Sequence, residues 1–161
     1  MTISMERIDF SQPQQAAVLV ELLDAYAQDP MGGGVGLAAE VKACLAERLA
    51  AVPGAVGLVA RLDGSPAGVA TAFPGFSTFA ARPLLSIHDL AVLAPFRRQG
   101  IGQALLAALE QIAMELGCCK LTLEVLSQNQ VAQGAYRKSG FAPYELDAKT
   151  GIAQFWQKWL A

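Results

Sequence analysis

From Leu84 to Leu116 the chain reads as one strand–turn–helix unit, and this stretch constrains the fold more than any other. Leu84 to Leu93 is a long, largely apolar run, the pattern of a central strand covered on both faces. It ends in a basic turn around Arg97 and Arg98, and Gly100 to Leu116 follows as a helix. Ile101, Leu105, Leu109, Ile112 and Leu116 recur at helical spacing, and Gly117 is a natural left-handed terminator. Lys120 to Leu126 then reads as a further strand. A strand, a helix and a second strand in succession form a β-α-β crossover, which places the two strands parallel in one sheet.

The flanking segments extend this sheet. A strand is predicted over residues 2–10, then a helix over Pro13 to Gln28 capped by Ser11, with Pro in its first turn. Asp29-Pro30-Met31-Gly32-Gly33-Gly34 reads as a flexible loop, and Leu37 to Ala51 as a second helix stopped by Pro53-Gly54. Ala55 to Arg61 and Gly68 to Phe73 flank the hairpin signal Asp63-Gly64-Ser65-Pro66, and Pro74-Gly75 is expected to break the second strand. Gln130 to Ser139 is a short helix closed by Gly140, and strands are predicted at Phe141 to Leu146 and Ala153 to Leu160. The reading is α/β: a mixed, mostly antiparallel central sheet of about seven strands with helices on both faces, in one domain spanning residues 1–161.

Composition narrows the class. Of 161 residues, 53% are hydrophobic and 16% charged, which is the balance of a packed domain and not of a disordered chain. A net charge of −2 offers no footprint for nucleic acid. Cys44, Cys118 and Cys119 lack C-x-x-C spacing, and with His88 as the single histidine a zinc site would want for ligands. The first ten residues carry Glu6, Arg7 and Asp9 where a signal peptide would be apolar, and no stretch approaches about 20 apolar residues. The expectation is a cytoplasmic protein that binds neither membrane nor metal.

The turn between strand and helix can seat an anion. Helix N-termini present unpaired N–H groups and the positive end of the dipole, and glycines there let a phosphate approach the backbone. Gly100 and Gly102 open the helix, with Arg97 and Arg98 beside them. An ordinary glycine turn is the plain alternative. A P-loop is not matched, because G-x-x-x-x-G-K-[ST] and its lysine are missing. A dinucleotide fingerprint would place glycine where Leu105 stands, although Glu124 does lie about 20 residues on.

These residues resemble the GNAT superfamily of acyl-CoA N-acyltransferases. The signature Arg/Gln-x-x-Gly-x-Gly/Ala is matched by Arg97-Arg98-Gln99-Gly100-Ile101-Gly102, and a second one by Leu123-Glu124-Val125, Asn129, Ala132, Tyr136 and Gly140-Phe141. The resemblance covers residues 84–143. The resemblance implies a GNAT-like fold, with acetyl-CoA as co-substrate and its pantetheine lying like an added strand against Leu90, Ala91 and Val92. The amide of Leu90 would polarise the thioester carbonyl. Amides from Arg98 through Gln99, Gly100, Ile101 and Gly102 to Gln103 would hold the pyrophosphate, and Asn129 would touch the pantetheine or fix the nearby loop. It also implies that Tyr136 stands near the coenzyme sulfur.

Each chemical candidate has a plainer reading. Tyr136 can give a proton to the departing thiolate, or be a packing aromatic on the face it shares with Ala132. Glu124, read as lying mid-strand, is the candidate base for the amine, directly or through water; otherwise it is a solvated or salt-bridged glutamate. His88 could serve as base too, since imidazoles titrate at about 6.5. Successive strand residues point to opposite faces, so only one of His88 and Asp89 is expected to face the acceptor. Phe73, Phe76, Phe79 and Arg82 could wall the acceptor site, Arg82 holding a carboxylate, or simply pack under a loop. The loop from Met31 to Gly34 could be a lid. The expected activity is direct transfer of acetyl from acetyl-CoA to a primary amine, on a small molecule or a peptide, in a ternary complex. A non-catalytic acyl-CoA sensor is the alternative, a dehydrogenase a distant third, and a homodimer remains open. Cys118 and Cys119, at the negative end of a helix dipole, are poor nucleophiles.

Overall fold

Asp63 and Gly64 adopt positive φ angles of 48° and 86° in the computed structural model of the chain, which describes residues 1–160. Two successive left-handed residues make a turn whose twist matches right-handed strands. Strands β2 (Val56–Leu62) and β3 (Ser65–Ser77) leave it antiparallel, Leu62 opposite Ser65. β1 (Ile3–Arg7) pairs with β2 and β4 (Arg82–Val92) with β3, both antiparallel. β5 (Leu121–Leu123) joins β4 in parallel, with Leu85 to Ile87 opposite Leu121 to Leu123. The sheet is mixed and mostly antiparallel, as expected, but it has five strands in the order β1-β2-β3-β4-β5 and not about seven.

The missing strands are those expected at residues 141–146 and 153–160. There Glu145 and Ile152 form an isolated bridge, and the Ala153 amide donates to the Tyr144 carbonyl at 2.8 Å. Phe155, Trp156, Trp159 and Leu160 are exposed. Apolar β-formers make a strand only where a neighbouring strand takes up their backbone and side chains, and composition alone does not supply one. Pro74 errs in the opposite direction: β3 runs through it to Ser77. β2 begins opposite Ala72, so beyond that residue β3 is paired on one side only. An edge tolerates the missing N–H of proline.

The chain divides into two compact units, residues 1–123 and the part from Glu124 onward. In the first, α1 (Pro13–Gln28) and α2 (Ala39–Ala50) cover one face of the sheet, packing Leu19, Leu22, Leu23 and Leu49 against Ile8, Val59 and Val69. Gln12, not Ser11, is the N-cap of α1, because both the amide and the hydroxyl of Ser11 donate to the Asp9 carboxylate. α3 (Ile101–Glu115) covers the opposite face. Gly68 permits its close approach: a Cβ there would lie 3.1 Å from Ile101 and 3.2 Å from Leu105. Leu105 has no exposed surface. Leu105→Ala is therefore expected to cost about 2–5 kcal/mol of unfolding free energy, measured as a lower urea midpoint at constant slope. The second unit contains α4 (Gln130–Lys138) and the segments that follow it.

Candidate active site

β4 departs from a regular strand at His88. Ala72 of β3 faces Ile87 and Thr71 faces Asp89, so His88 is an extra, bulged residue. Two hydrogen bonds fix the consequence. The Leu85 amide donates to the Lys120 carbonyl at 3.1 Å, toward β5, whereas the Leu93 amide donates to the Ala67 carbonyl at 2.9 Å, toward β3. Backbone groups alternate sides along a strand, so odd-numbered residues point to β5 before the bulge and to β3 after it. Leu90 and Val92 are thereby turned to the β5 side. β5 has ended opposite Ile87. The amide and carbonyl of Leu90 and the amide of Val92 therefore face an edge that β5 does not fill, while the Val92 carbonyl accepts from Arg97 Nε at 3.1 Å.

Past this edge the chain turns through a 3₁₀ turn (Ala94–Phe96) into α3, with Arg98 at φ 63° and Gly100 at φ 84°. A non-glycine residue in the left-handed region costs about 1–2 kcal/mol, and such strain gathers at functional sites. Gly100 caps the helix in that conformation, which glycine adopts without penalty. Gly102 is different. A Cβ there would meet only Val92 Cγ2 at 3.8 Å, an ordinary contact, so nothing in the fold demands glycine. Ile101 is in the core and can offer a ligand only its backbone. Gln99 Nε2 donates to the Pro95 carbonyl at 3.3 Å, and Gln103 occupies the third position of the helix. The first turn of this 15-residue helix thus brings its N-terminal amides and the positive end of its dipole beside the open edge of β4.

The bulge also overturns the expectation that His88 and Asp89 point apart. Their side chains meet, Nδ1 of His88 lying 3.3 Å from Oδ2 of Asp89. The Thr71 hydroxyl donates to the same Oδ2, and Thr71 is the one buried polar residue among those described. The Phe73 ring meets the His88 ring edge-on at 5.8 Å. From α1, the Tyr26 phenol is raised above its ordinary value first by burial and then by the negative charges of Asp89 and Asp29. Sequence reasoning passed over Thr71 and Tyr26, since neither lies in a motif. A bulge bringing adjacent residues together leaves no local signal.

Two arginines are committed elsewhere than expected. Arg82 donates to the carbonyls of Gly117 and Cys118 at 3.0 and 3.4 Å, capping the end of α3, so it is not available to hold an acceptor carboxylate. Arg97 reaches Asp29 Oδ2 at 2.6 Å, and this hydrogen bond, followed by that from the Met31 amide, holds the Asp29 carboxyl below its ordinary value. The stretch expected as a flexible loop is hydrogen-bonded into a turn from Asp29 onward. Pro30–Gly32 form a 3₁₀ turn, and the Gly32 and Gly34 amides donate to the Asp29 carbonyl at 2.8 and 3.0 Å. Phe76 and Phe79 are exposed, so they do not pack beneath a loop. Burial pushes the Cys118 thiol up, away from thiolate character. No group of three His, Cys, Asp or Glu among the described residues is placed to hold a metal. Nor is any described helix long and apolar enough to cross a membrane.

In the second unit Asn129 is the N-cap of α4, its Oδ1 accepting from the Ala132 amide at 3.1 Å, which is a fixing role. Tyr136 lies on α4, half-buried, its ring 6.0 Å from that of Phe141. Glu124 is exposed and follows the last residue of β5, so it is not mid-strand.

The model of the Acetyltransferase (GNAT) family matches residues 19–141. The chain belongs to the GNAT family. This agrees with the two signatures read above and extends the match to α1. Among curated GNAT relatives, the uncharacterized N-acetyltransferase YycN of Bacillus subtilis (strain 168) is 40% identical over 55 residues, 34% of this chain and 35% of that protein. The matched stretches span 35 to 56% of the length of such relatives. Among solved structures, the aminoglycoside acetyltransferase meta-AAC0020 from an uncultured soil metagenomic sample, in complex with sisomicin, gives a TM-score of 0.76 at 21% identity, covering 98% of this chain and 97% of that one. AAC(6')-Iy in complex with the bisubstrate analog CoA-S-monomethyl-acetylneamine gives 0.72 at 17%, covering 99% and 100%. At these identities the likeness is one of fold.

Proposed function

We propose that the chain is a single catalytic domain that transfers the acetyl group of acetyl-CoA to a primary amine by direct attack in a ternary complex. The observation that carries this reading is the bulge at His88, which turns Leu90 toward an edge left by β5 and beside the N-terminus of α3. An extended amide-bearing arm can add to such an edge as a strand would. Amides of Arg98 to Gln103 would receive the pyrophosphate. The amine lone pair attacks the thioester carbonyl carbon, and the Leu90 amide donates to the oxygen as it gains charge. The C–S bond then breaks, and the departing thiolate takes a proton from a donor, a role that the family resemblance implies for Tyr136. A base removes the amine proton. Two routes are open for that proton: the Asp89–His88 pair, one residue from Leu90, and Glu124, as the family resemblance implies. The place of Asp89 beside Leu90 favours the first.

The acceptor is read as a small amine or a peptide terminus. Sisomicin in the meta-AAC0020 complex is a precedent for an amine-rich small molecule in this fold. Acetyl-CoA thiol release across a panel of amines, with amino acids and aminosugars as separate arms, tests the activity; no release with any amine leaves only a binding role.

Gly102 tests the coenzyme seat. Gly102→Ala adds a methyl that the fold can accept, since its Cβ would lie 3.8 Å from Val92 Cγ2. Exchanging a helical glycine for alanine stabilises by about 0.5–1 kcal/mol, so the melting temperature should hold or rise. Acetyl-CoA affinity should also hold in Gly102→Ala, since the signature admits alanine at this position. Gly102→Asp, which sets a carboxylate beside the amides, should instead lower it by about tenfold, or 1.4 kcal/mol, measured by calorimetric titration. Undiminished affinity in Gly102→Asp would place the phosphates elsewhere.

A further inference from the structure

We propose that Arg97 and Asp29 are positioning residues whose ion pair fixes the phosphate-binding turn against the end of α1, and that Arg97 does not itself hold the phosphate. The inference rests on the coenzyme reading above. Arg97 stands first in the Arg-x-x-Gly-x-Gly signature, where its charge reads as an anion contact. In the fold its guanidinium is already engaged on two sides: Nε donates to the Val92 carbonyl at 3.1 Å and a terminal nitrogen to Asp29 Oδ2 at 2.6 Å. Asp29 is held as firmly. Its Oδ1 accepts from the Met31 amide at 3.0 Å, and its carbonyl takes the amides of Gly32 and Gly34. Gly32 sits so close beneath α1 that a Cβ would lie 1.9 Å from the Tyr26 carbonyl oxygen, so the turn packs against the helix end only with glycine there.

Arg97 therefore spans two fixed points, the rigid end of α1 and the last residue of the open edge of β4. The next residue, Arg98, is the one held at φ 63°, where the chain reverses into the amides that begin α3. With the guanidinium anchored, those amides have one position relative to Leu90. Released, they can shift, and misplacement by about 1 Å can cost up to about 10²-fold in a site that depends on convergent geometry.

The test is calorimetric titration of coenzyme A into the wild type, Asp29→Asn, Arg97→Gln and the double variant. The positioning role expects each single change to weaken binding by about tenfold, and the double variant to be no weaker than the worse single, because both remove one interaction. Asp29→Glu, which keeps the charge, should recover part of the loss. A direct phosphate contact expects the reverse for Asp29: freeing Arg97 would leave affinity unchanged or tighter, with Arg97→Gln alone weakening it. That outcome overturns the proposal. Asparagine is isosteric and can still accept from the Met31 amide, and the unliganded melting temperature of each variant reports any loss of fold. If Asp29→Asn lowers it, Arg97→Lys decides, since its ammonium cannot bridge two acceptors as the fork does and should bind weakly despite its charge; wild-type affinity there overturns the proposal too. Failure of the wild type to bind coenzyme A would remove the coenzyme reading and this role with it, whereas a binding wild type with an unaffected Asp29→Asn removes this role alone.

Discussion

Tyr136→Phe is expected to lower kcat by about 10²-fold, the scale of losing a positioned proton donor, while acetyl-CoA affinity stays nearly unchanged. The phenyl ring keeps the packing against Phe141, whose ring lies 6.0 Å away, so the substitution removes the hydroxyl and whatever it bonds to while leaving the ring in place. The helix is held independently of the phenol by Asn129 at its N-cap and by the Phe141 amide, which donates to the Tyr136 carbonyl at 3.0 Å. A change in kcat at an unchanged melting temperature is then chemical. The measurement is steady-state kcat with a good acceptor beside calorimetric affinity for acetyl-CoA, under conditions where chemistry limits turnover. A fall in affinity with kcat preserved would mean that the hydroxyl binds the coenzyme and does not serve as the proton donor. Unaltered values of both would leave Tyr136 as a packing residue of its helix.

What the residues disclosed follows from how local each signal is. α1 begins at Pro13 and ends at Gln28 as read, because Pro at the first turn and an apolar stripe are decided within one segment. The Asp63-Gly64 hairpin and the glycine-opened α3 are equally local. Strand extent is not, since it depends on a partner distant in sequence. β5 has three residues where seven were expected, and β3 passes through Pro74 because β2 is absent on that side. The site divides along the same line. The backbone roles proposed for Leu90 and Gly100 come from the motif, which is local. The meeting of Asp89, His88 and Thr71 is created by a register shift between β3 and β4, which no single stretch records. Arginine destinations are likewise tertiary: Arg82 and Arg97 look alike as free charges until the carbonyls and the carboxylate they reach are in view.

The amine proton provides the other large expected effect. Asp89→Asn should lower kcat/KM by about 10²-fold or more, the range for a positioned base, with acetyl-CoA affinity unchanged. The carboxylate is three-quarters covered and is held by the Thr71 hydroxyl, so its geometry is set before the acceptor arrives. Asparagine can still accept that hydrogen bond but cannot take a proton. His88 is more exposed and touches the same oxygen, which suits an imidazole passing the proton from the amine toward solvent. His88→Gln should therefore cost less than Asp89→Asn and should remove a rising limb from the pH profile of kcat/KM. Glu124→Gln should be mild at every pH, because Glu124 is exposed at the end of β5. The acceptor must be an amine of high pKa, since one that arrives neutral would hide any base. Circular dichroism melts on each variant separate lost chemistry from lost fold. If Glu124→Gln loses two orders of magnitude across the pH range while Asp89→Asn keeps the wild-type rate, the proton leaves through Glu124. The bulge would then serve only to turn Leu90 toward the open edge.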